Sequence, residues 1–173
     1  MKPANERDFR AFAEARWGAL IRAGYLLTGD RGHAEDLAQS TLVSVYSSWS
    51  RVSQADNMDA YVHRILVNAH LRRVRRRRIR EVYADTPPES GAADHSHDVE
   101  RRLVLVQALA TLPPRQRAVV VLRYWSDLTE AQTAAALGCS VGTVKSQTSK
   151  ALAKLRSVPG MDLAATNSGS ATF

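Results

Sequence analysis

The chain has 173 residues, of which 45% are hydrophobic and 24% are charged, and its formal net charge is +7. This length allows one sizeable domain or two small ones, and the composition is typical of a globular protein. No stretch approaches the ~20 apolar residues that a membrane-spanning helix needs. The charged start, MKPANERDFR, is not followed by an apolar core. We therefore expect no secretory signal, no membrane insertion and a cytoplasmic location.

The charge is divided into four blocks along the chain. Residues 1–71 carry eight basic and eight acidic side chains, and residues 72–80 carry seven arginines and no acid. Residues 81–100 carry six acids and no Lys or Arg, and residues 101–173 have a net charge of +6. Two basic segments joined by an acidic one favour two separate contacts with a polyanion, most often a nucleic acid.

Helical periodicity recurs along the chain while strand signals are nearly absent, so the sequence predicts an all-α fold. Asp30 suits the N-cap of the second helix, and residues 49–57 are interpreted as a polar loop. Residues 83–98 are rich in Pro, Gly, Ser and acids, which predicts a flexible acidic linker between two small helical domains, 5–82 and 99–157. Residues 158–173 are predicted to be a disordered tail. Helices are predicted at about 5–27, 31–48, 57–78, 99–111, 114–125, 130–137 and 141–156.

Residues 129–155 have the pattern of a DNA-binding helix-turn-helix. Thr129 is predicted to cap a short helix, Gly138 to supply the left-handed residue of the turn, and Ser140 to cap the second helix. The outer face of that second helix offers short donors and cations, which a helix in the major groove requires. An ordinary helical hairpin with a solvated polar face is the alternative, and the basic charge of this half of the chain favours DNA. The candidate contacts are Ser140, Thr143, Lys145, Ser146, Gln147 and Lys150.

The arginine cluster, residues 72–80, is a second candidate nucleic-acid contact. Arg72, Arg76 and Arg80 fall near one side of a helix, where guanidinium groups can follow a phosphate backbone. A solvated helix end and an anionic membrane surface are the alternatives. Val74 and Ile79 alone give no apolar face to insert into a bilayer, so nucleic acid is favoured.

No pattern in the sequence points to catalysis. There is no glycine-rich phosphate loop and no nucleophile elbow. His95 and His97 lie in the predicted linker without further ligands nearby, and Cys139 fits the turn as a small hydrophobe. We therefore expect no enzymatic activity, no cofactor and no metal site.

Two long segments, taken together and in this order, carry a specific resemblance to a known family. From Phe9 to Arg156 the chain resembles the extracytoplasmic-function (ECF) group of bacterial sigma-70 type RNA polymerase sigma factors, which have two domains, regions 2 and 4, joined by a flexible linker. The resemblance implies a non-enzymatic promoter-specificity subunit that binds promoter DNA and core RNA polymerase, at the clamp of the largest subunit and the flap of the second largest. The segments are GDRGHAEDLAQSTLVSVYSSW…AYVHRILVNAHLRRVRRRR and LATLPPRQRAVVVLRYWSDLTEAQTAAALGCSVGTVKSQTSKALAKLR.

The resemblance also implies roles for individual residues. The segment 34–39 matches the polymerase-docking segment, with Glu35, Asp36 and Gln39 as its polar contacts. The loop 50–56, which includes Val52, matches the segment that captures a base flipped out of the −10 element, and residues 140–150 match the helix that reads the −35 element as duplex. The expected contacts with the melted −10 strand are Val52, Tyr61, Arg64, Asn68, Arg72 and Arg76.

Three residues depart from the usual pattern of the group. Ser40 stands where an acid is usual, Tyr61 where tryptophan is common, and Gln147 where arginine is common. Many members are held inactive by an anti-sigma factor, so such a protein is a further candidate partner. Two other functions stay open from the residues alone: a stand-alone regulator that uses only 129–155, and an RNA- or membrane-binding module built on the arginine cluster.

Overall fold

The computed structural model of the protein describes residues 3–81 and 97–159. Within these ranges the chain forms eight helices and no strand, which confirms the predicted all-α fold. His95, most of the predicted linker and residues 160–173 of the predicted tail lie outside the described ranges. The helices are α1 (Pro3–Thr28), α2 (Arg31–Ser47), α3 (Trp49–Val52), α4 (Met58–Glu81), α5 (His97–Ala110), α6 (Pro114–Tyr124), α7 (Glu130–Leu137) and α8 (Val141–Arg156).

Local residues set most of the helix ends. The Asp30 carboxylate accepts a hydrogen bond from the backbone N–H of His33 at 2.7 Å, so it caps α2 as predicted. The Asn57 side chain accepts one from the N–H of Ala60 at 2.8 Å at the start of α4. Gly29 ends α1 with a φ of 72°, a conformation that costs glycine little.

The segment predicted as a polar loop contains the short helix α3. Trp49 and Val52 are buried in the core at 5% and 0% exposure. The Trp49 ring packs edge-on against Phe9, with ring centroids 5.4 Å apart, and lies 5.3 Å from Phe12. Because these contacts join residues far apart in sequence, tertiary packing rather than local preference orders this segment.

Helices α1–α4 form the first domain, in which α1 and α2 pack closely as an antiparallel pair. A Cβ atom added at Gly24 would lie 3.1 Å from the Ala34 carbonyl oxygen, so glycine permits this close approach. Helices α5–α8 form the second domain. The largest fully buried side chains of the first domain include Leu20, Leu27 and Leu66, and those of the second include Leu109, Leu122 and Leu155.

The two domains pack against each other, with α4 against α6 and α7, and α1 against α5 and α6. Their buried residues form one continuous hydrophobic cluster. The two predicted helical domains are therefore present and lie in direct contact in this structure. The physical reason is that α4 and α7 bury residues such as His70 and Ala136 along their line of contact.

Candidate polymerase and nucleic-acid interfaces

The polymerase-docking candidates lie on the outer face of α2. The inner stripe of this helix, which includes Ala34, Leu37 and Val45, is buried in the first domain. On the opposite face, Asp36 and Gln39 are exposed, and Glu35 is half-buried at the edge with its carboxylate 3.3 Å from the Arg31 guanidinium. All three predicted residues are therefore accessible.

The same outer face continues along α2 past the predicted residues. Ser40 is exposed, and its hydroxyl donates to the Leu37 carbonyl at 3.0 Å, so this position offers a neutral group instead of an acid. Val43 follows one turn later with 66% of its surface exposed. The face thus adds an exposed apolar side chain, Val43, to its polar residues.

The start of α4 is fixed to α1 by an ion pair. The Arg16 guanidinium contacts both carboxylate oxygens of Asp59, at 2.7 and 2.8 Å. One turn later the ring Nδ1 of His63 lies 2.8 Å from the Asp59 carbonyl oxygen. Burial lowers the pKa of His63, so this imidazole is neutral in the folded protein near pH 7. These contacts hold α4 in a defined orientation on α1.

The −10 candidates on α4 share one stripe because they follow each other at intervals of three or four residues. Arg64, Arg72 and Arg76 are exposed, and Tyr61 is half-buried with its ring against the core. Asn68 is also half-buried, and its amide donates to the Ala136 carbonyl of α7 at 3.3 Å. The five residues therefore lie on one face of α4, and Asn68 is hydrogen-bonded to the second domain.

Val52 does not fit the predicted role. Its side chain is 0% exposed, because α3 turns it into the core of the first domain. A buried side chain cannot contact a flipped base, so the prediction of a direct DNA contact by Val52 is corrected.

The arginine cluster extends the α4 stripe into solvent. Its side chains from Arg72 to Arg78 surround the end of the helix and are exposed, with the half-buried Val74 between them. Such a density of guanidinium groups attracts the phosphates of nucleic acids on every side of the helix.

The turn between α7 and α8 has the predicted local geometry. Thr129 and Gln132 form a capping box, in which each side chain accepts a hydrogen bond from the other residue's backbone N–H, at 3.1 and 2.8 Å. Gly138 is left-handed at φ 63°, and the Ser140 hydroxyl caps α8 by accepting from the N–H of Thr143 at 3.1 Å. The caps predicted at Thr129, Gly138 and Ser140 are all present.

The −35 candidates form the outer face of α8. Val144, Ala151 and Leu155 point into the second domain, while Ser140, Thr143, Lys145, Ser146 and Lys150 are exposed and Gln147 is half-buried. The Lys145 ammonium lies 3.7 Å from the Glu130 carboxylate of α7. The face therefore presents hydroxyls and cations beside one acid.

Three arginines that sequence reasoning did not single out organise the second domain. Arg115 donates to the Leu137 carbonyl at 3.1 Å and so satisfies the end of α7, and Arg123 donates to the Leu128 carbonyl in the loop before α7. Arg117 donates to the Leu27 carbonyl of α1 at 2.8 Å, across the domain boundary. No local pattern distinguishes these arginines from solvent-exposed ones, because their partners are backbone carbonyls.

Comparison with known proteins identifies the family. Sigma-70 region 2 matches residues 4–79, and Sigma-70, region 4 matches residues 102–155. The chain belongs to the ECF group of sigma-70 factors. It is 38% identical over 149 residues to the RNA polymerase sigma-E factor of Streptomyces avermitilis, which covers 86% of this chain and 83% of that protein. It is 37% identical over 144 residues to the ECF RNA polymerase sigma factor SigE of Mycolicibacterium smegmatis, which covers 79% of this chain and 56% of that protein.

Two solved structures are similar to this sigma factor. The sigma factor RpoE in complex with the anti-sigma factor NepR from Bartonella quintana matches with a TM-score of 0.78 and 27% identity, over 90% of this chain and 99% of that chain. CnrH in complex with the cytosolic domain of CnrY matches in fold with a TM-score of 0.61 and 22% identity, over 87% of this chain and 86% of that chain.

Family membership settles the class of function. The protein is a non-enzymatic sigma factor that binds core RNA polymerase and promoter DNA and directs transcription initiation. This outcome confirms the predicted family, the predicted function and the two main partners, core RNA polymerase and promoter DNA. It decides against the two alternatives, a stand-alone regulator and an RNA- or membrane-binding module built on the arginine cluster. None of the helices within residues 3–81 and 97–159 is long and apolar enough to cross a bilayer.

Proposed function

We propose that three separate surfaces of this sigma factor bind core polymerase, the melted −10 strand and the −35 duplex. The outer face of α2, with Glu35, Asp36 and Gln39, docks on the clamp of the polymerase largest subunit. The stripe on α4 captures one strand of the melted −10 element, and the outer face of α8 reads the −35 element. The second domain also contacts the flap of the second largest subunit.

The chemistry of each surface suits its proposed partner. Carboxylates and an amide on α2 complement a basic, hydrogen-bonding protein surface. The aromatic ring of Tyr61 and the amide of Asn68 provide the stacking surface and edge recognition that unpaired bases need. Hydroxyls and lysines at the start of α8 suit phosphates and base edges of a duplex. The observation that carries the proposal is that each polar set lies on one face of its own helix.

The protein acts in the cytoplasm on this proposal, because core polymerase and promoter DNA are found there. An anti-sigma factor is included as a candidate partner, since RpoE and CnrH were both solved in complex with another protein. Binding to the exposed strand supplies the free energy that favours melting, so no covalent step is involved.

The test is run-off transcription on genomic templates with core polymerase, with and without the added chain. Sequencing of the transcript starts identifies the promoters and hence the −10 and −35 elements. We expect a defined set of start sites that depends on the added chain, and initiation that is independent of it would contradict the proposal.

A further inference from the structure

The outer face of α8 contains an exposed serine, Ser149, that lies between the two lysines of that face. At about 100° per residue, Lys145 and Lys150 project roughly 140° apart around the helix axis, and Ser149 projects between them. The buried residues Val144 and Ala151 lie on the opposite side of the helix. A helix in the major groove has a phosphate backbone on each side, so the lysines can reach the backbones while Ser149 faces the base edges.

The other hydroxyls in the first half of α8 are engaged within the helix itself. The Ser140 hydroxyl oxygen accepts from the backbone N–H of Thr143 at 3.1 Å and lies 2.9 Å from the Thr143 hydroxyl. The Ser146 hydroxyl donates to the Thr143 carbonyl at 3.1 Å, and the Thr148 hydroxyl donates to the Val144 carbonyl at 2.8 Å. A base that sought these hydroxyls as donors would have to compete with bonds inside the helix.

Ser149 differs from these residues because its hydroxyl has no hydrogen-bond partner within residues 3–81 and 97–159. A serine inside a helix commonly donates to the carbonyl one turn earlier. Ser44 and Ser47 of α2 do so, each at 2.9 Å, whereas Ser149 forms no such bond with the Lys145 carbonyl. The Ser149 hydroxyl can therefore bond with DNA without giving up a bond within the protein.

The two lysines also favour one orientation of the Ser149 hydroxyl. A hydroxyl dipole turns in the local electric field, so its oxygen faces the ammonium groups of Lys145 and Lys150 and its hydrogen points away from them. In the major groove such a hydrogen is accepted by the N7 of purines, the O6 of guanine and the O4 of thymine. Ser149 thus presents a donor to the base edges from a position about 12 Å along α8.

We propose that Ser149 determines which base pair is accepted at one position of the −35 element, by donating a hydrogen bond to an acceptor on a base edge. The inference rests on the proposed role of the outer face of α8. Lys145 and Lys150 contribute affinity through phosphates without regard to sequence, and Ser149 contributes preference for one base pair. Ser149 was not among the predicted contacts, because the sequence pattern does not show which serine hydroxyls are engaged within the helix.

The first experiment measures base preference at every position of the −35 element. Holoenzyme assembled from core polymerase and the full chain is mixed with promoter fragments in which this element, located by transcript sequencing, is varied one base pair at a time. Sequencing of bound and unbound fragments gives the relative affinity for each base pair. We expect S149A to reduce the preference at a single position by about fivefold and to leave the others unchanged. S149T keeps the hydroxyl and should retain the preference.

The matched control, S157A, makes the same chemical change at the exposed end of α8. The Ser157 hydroxyl donates to the Lys154 carbonyl at 2.7 Å, so this variant should keep every preference of the parent. The slope of log affinity against log salt should be the same in S149A as in the parent, because no phosphate contact is lost. A loss of preference at every position in S149A would indicate a general disturbance of α8 and would overturn the assignment.

The second experiment removes the acceptor from the DNA instead of the hydroxyl from the protein. At the position found, the base is replaced by an analogue that lacks only N7, O6 or O4. We expect the parent to lose about fivefold in affinity and S149A to lose nothing further, because both changes remove the same bond. Equal losses in the parent and S149A, or unchanged base preferences in S149A, would overturn the inference. If the parent holoenzyme shows no preference anywhere in the −35 element, the proposed role of α8 fails, and this inference fails with it.

Discussion

At the scale of single residues, His70 is a buried imidazole with a strongly lowered pKa. Burial, followed by the nearby charges of Arg117 and Arg73, lowers the pKa of His70 to about 4, against 6.5 in the unfolded chain. Between these values the unfolded state binds a proton that the folded state does not. The stabilising effect of the neutral imidazole is therefore complete above pH 6.5 and is lost as the pH falls towards 4.

We expect the free energy of unfolding to fall by roughly 2 kcal/mol between pH 7 and pH 5 because of His70. Urea titrations at a series of pH values measure this slope. H70Q removes the titrating group, so its profile should be flatter over the same range. The buried His63 contributes in the same direction, and H63Q should remove that smaller part. An unchanged profile in H70Q would contradict the assignment.

Asp36 and Asn68 should affect different steps of initiation. Asp36 is exposed on α2 and Asn68 lies on the stripe of α4, so one is proposed to contact polymerase and the other the melted strand. We expect D36A to weaken binding to core polymerase about tenfold, with little effect on melting by the assembled holoenzyme. N68A should lower open-complex formation by a similar factor while leaving polymerase binding intact.

Binding to core polymerase is measured by anisotropy of the labelled sigma factor, and melting by permanganate reactivity of unpaired thymines. Saturating polymerase in the second assay separates the two effects. Equal losses in both assays for both variants would argue against the division of roles.

The two lysines of the α8 face should act through phosphates. Lys145 and Lys150 are exposed, and Lys145 lies 3.7 Å from Glu130. We expect K145A and K150A each to reduce the slope of log affinity against log salt by about one, measured on −35 duplex DNA. E130Q is the matched control. It frees the Lys145 ammonium, so it should increase affinity rather than reduce it, and a loss would indicate that Glu130 itself contacts a base.

At the scale of helices, the turn between α7 and α8 depends on one backbone conformation. Gly138 has a φ of 63°, and a Cβ atom there would meet nothing within 4 Å. The cost of G138A is therefore conformational, and we expect it to destabilise the protein by about 1 kcal/mol. Gly142 lies in the first turn of α8, where an added Cβ atom would be 3.8 Å from the Ser140 hydroxyl, an ordinary van der Waals distance, so G142A should stabilise by about 0.5 kcal/mol. Chemical unfolding measures the free energy of unfolding of both variants. Changes of the same sign in G138A and G142A would contradict this prediction.

Helices with strong local signals could be predicted from the sequence to within one or two residues. Asp30, Pro114, Thr129 and Ser140 each mark a helix start by a local mechanism, so the bounds of α2, α6, α7 and α8 follow. Helix α3 could not be predicted, because its four residues are ordered by the contacts of Trp49 with Phe9 and Phe12. Tertiary packing also explains why Val52 was wrongly predicted to contact DNA. Its burial depends on the whole domain and not on the local sequence.

The candidate faces on α2 and α8 could be predicted because a helical period separates the buried stripe from the exposed one. For α4 the helical period was again sufficient to predict that Tyr61, Arg64 and Asn68 lie on one face. It could not show that the Asn68 amide donates a hydrogen bond to the Ala136 carbonyl. A hydrogen bond to a backbone carbonyl 68 residues away leaves no trace in local sequence. The same holds for Arg117 and the Leu27 carbonyl.

At the scale of the whole molecule, the continuous core predicts one compact body in solution. A globule of this length has a radius of gyration of about 16 Å, whereas two domains held apart by an extended linker would exceed roughly 20 Å. We expect small-angle scattering of the free chain to give a value below about 20 Å. H70R places a permanent charge at a buried position near Arg117 and should raise the value, whereas H70Q keeps the position neutral and should not. A parent value equal to that of H70R would contradict the compact body.

The contact of α7 with α4 also bears on how the protein finds its promoter. Asn68 already donates to Ala136, so its amide must exchange this hydrogen bond for one with a base before it can take up its proposed role in strand capture. The arginine cluster lies outside the contact, since Arg72 to Arg78 are exposed. Attraction of phosphates by the cluster is therefore separate from recognition of bases by Asn68.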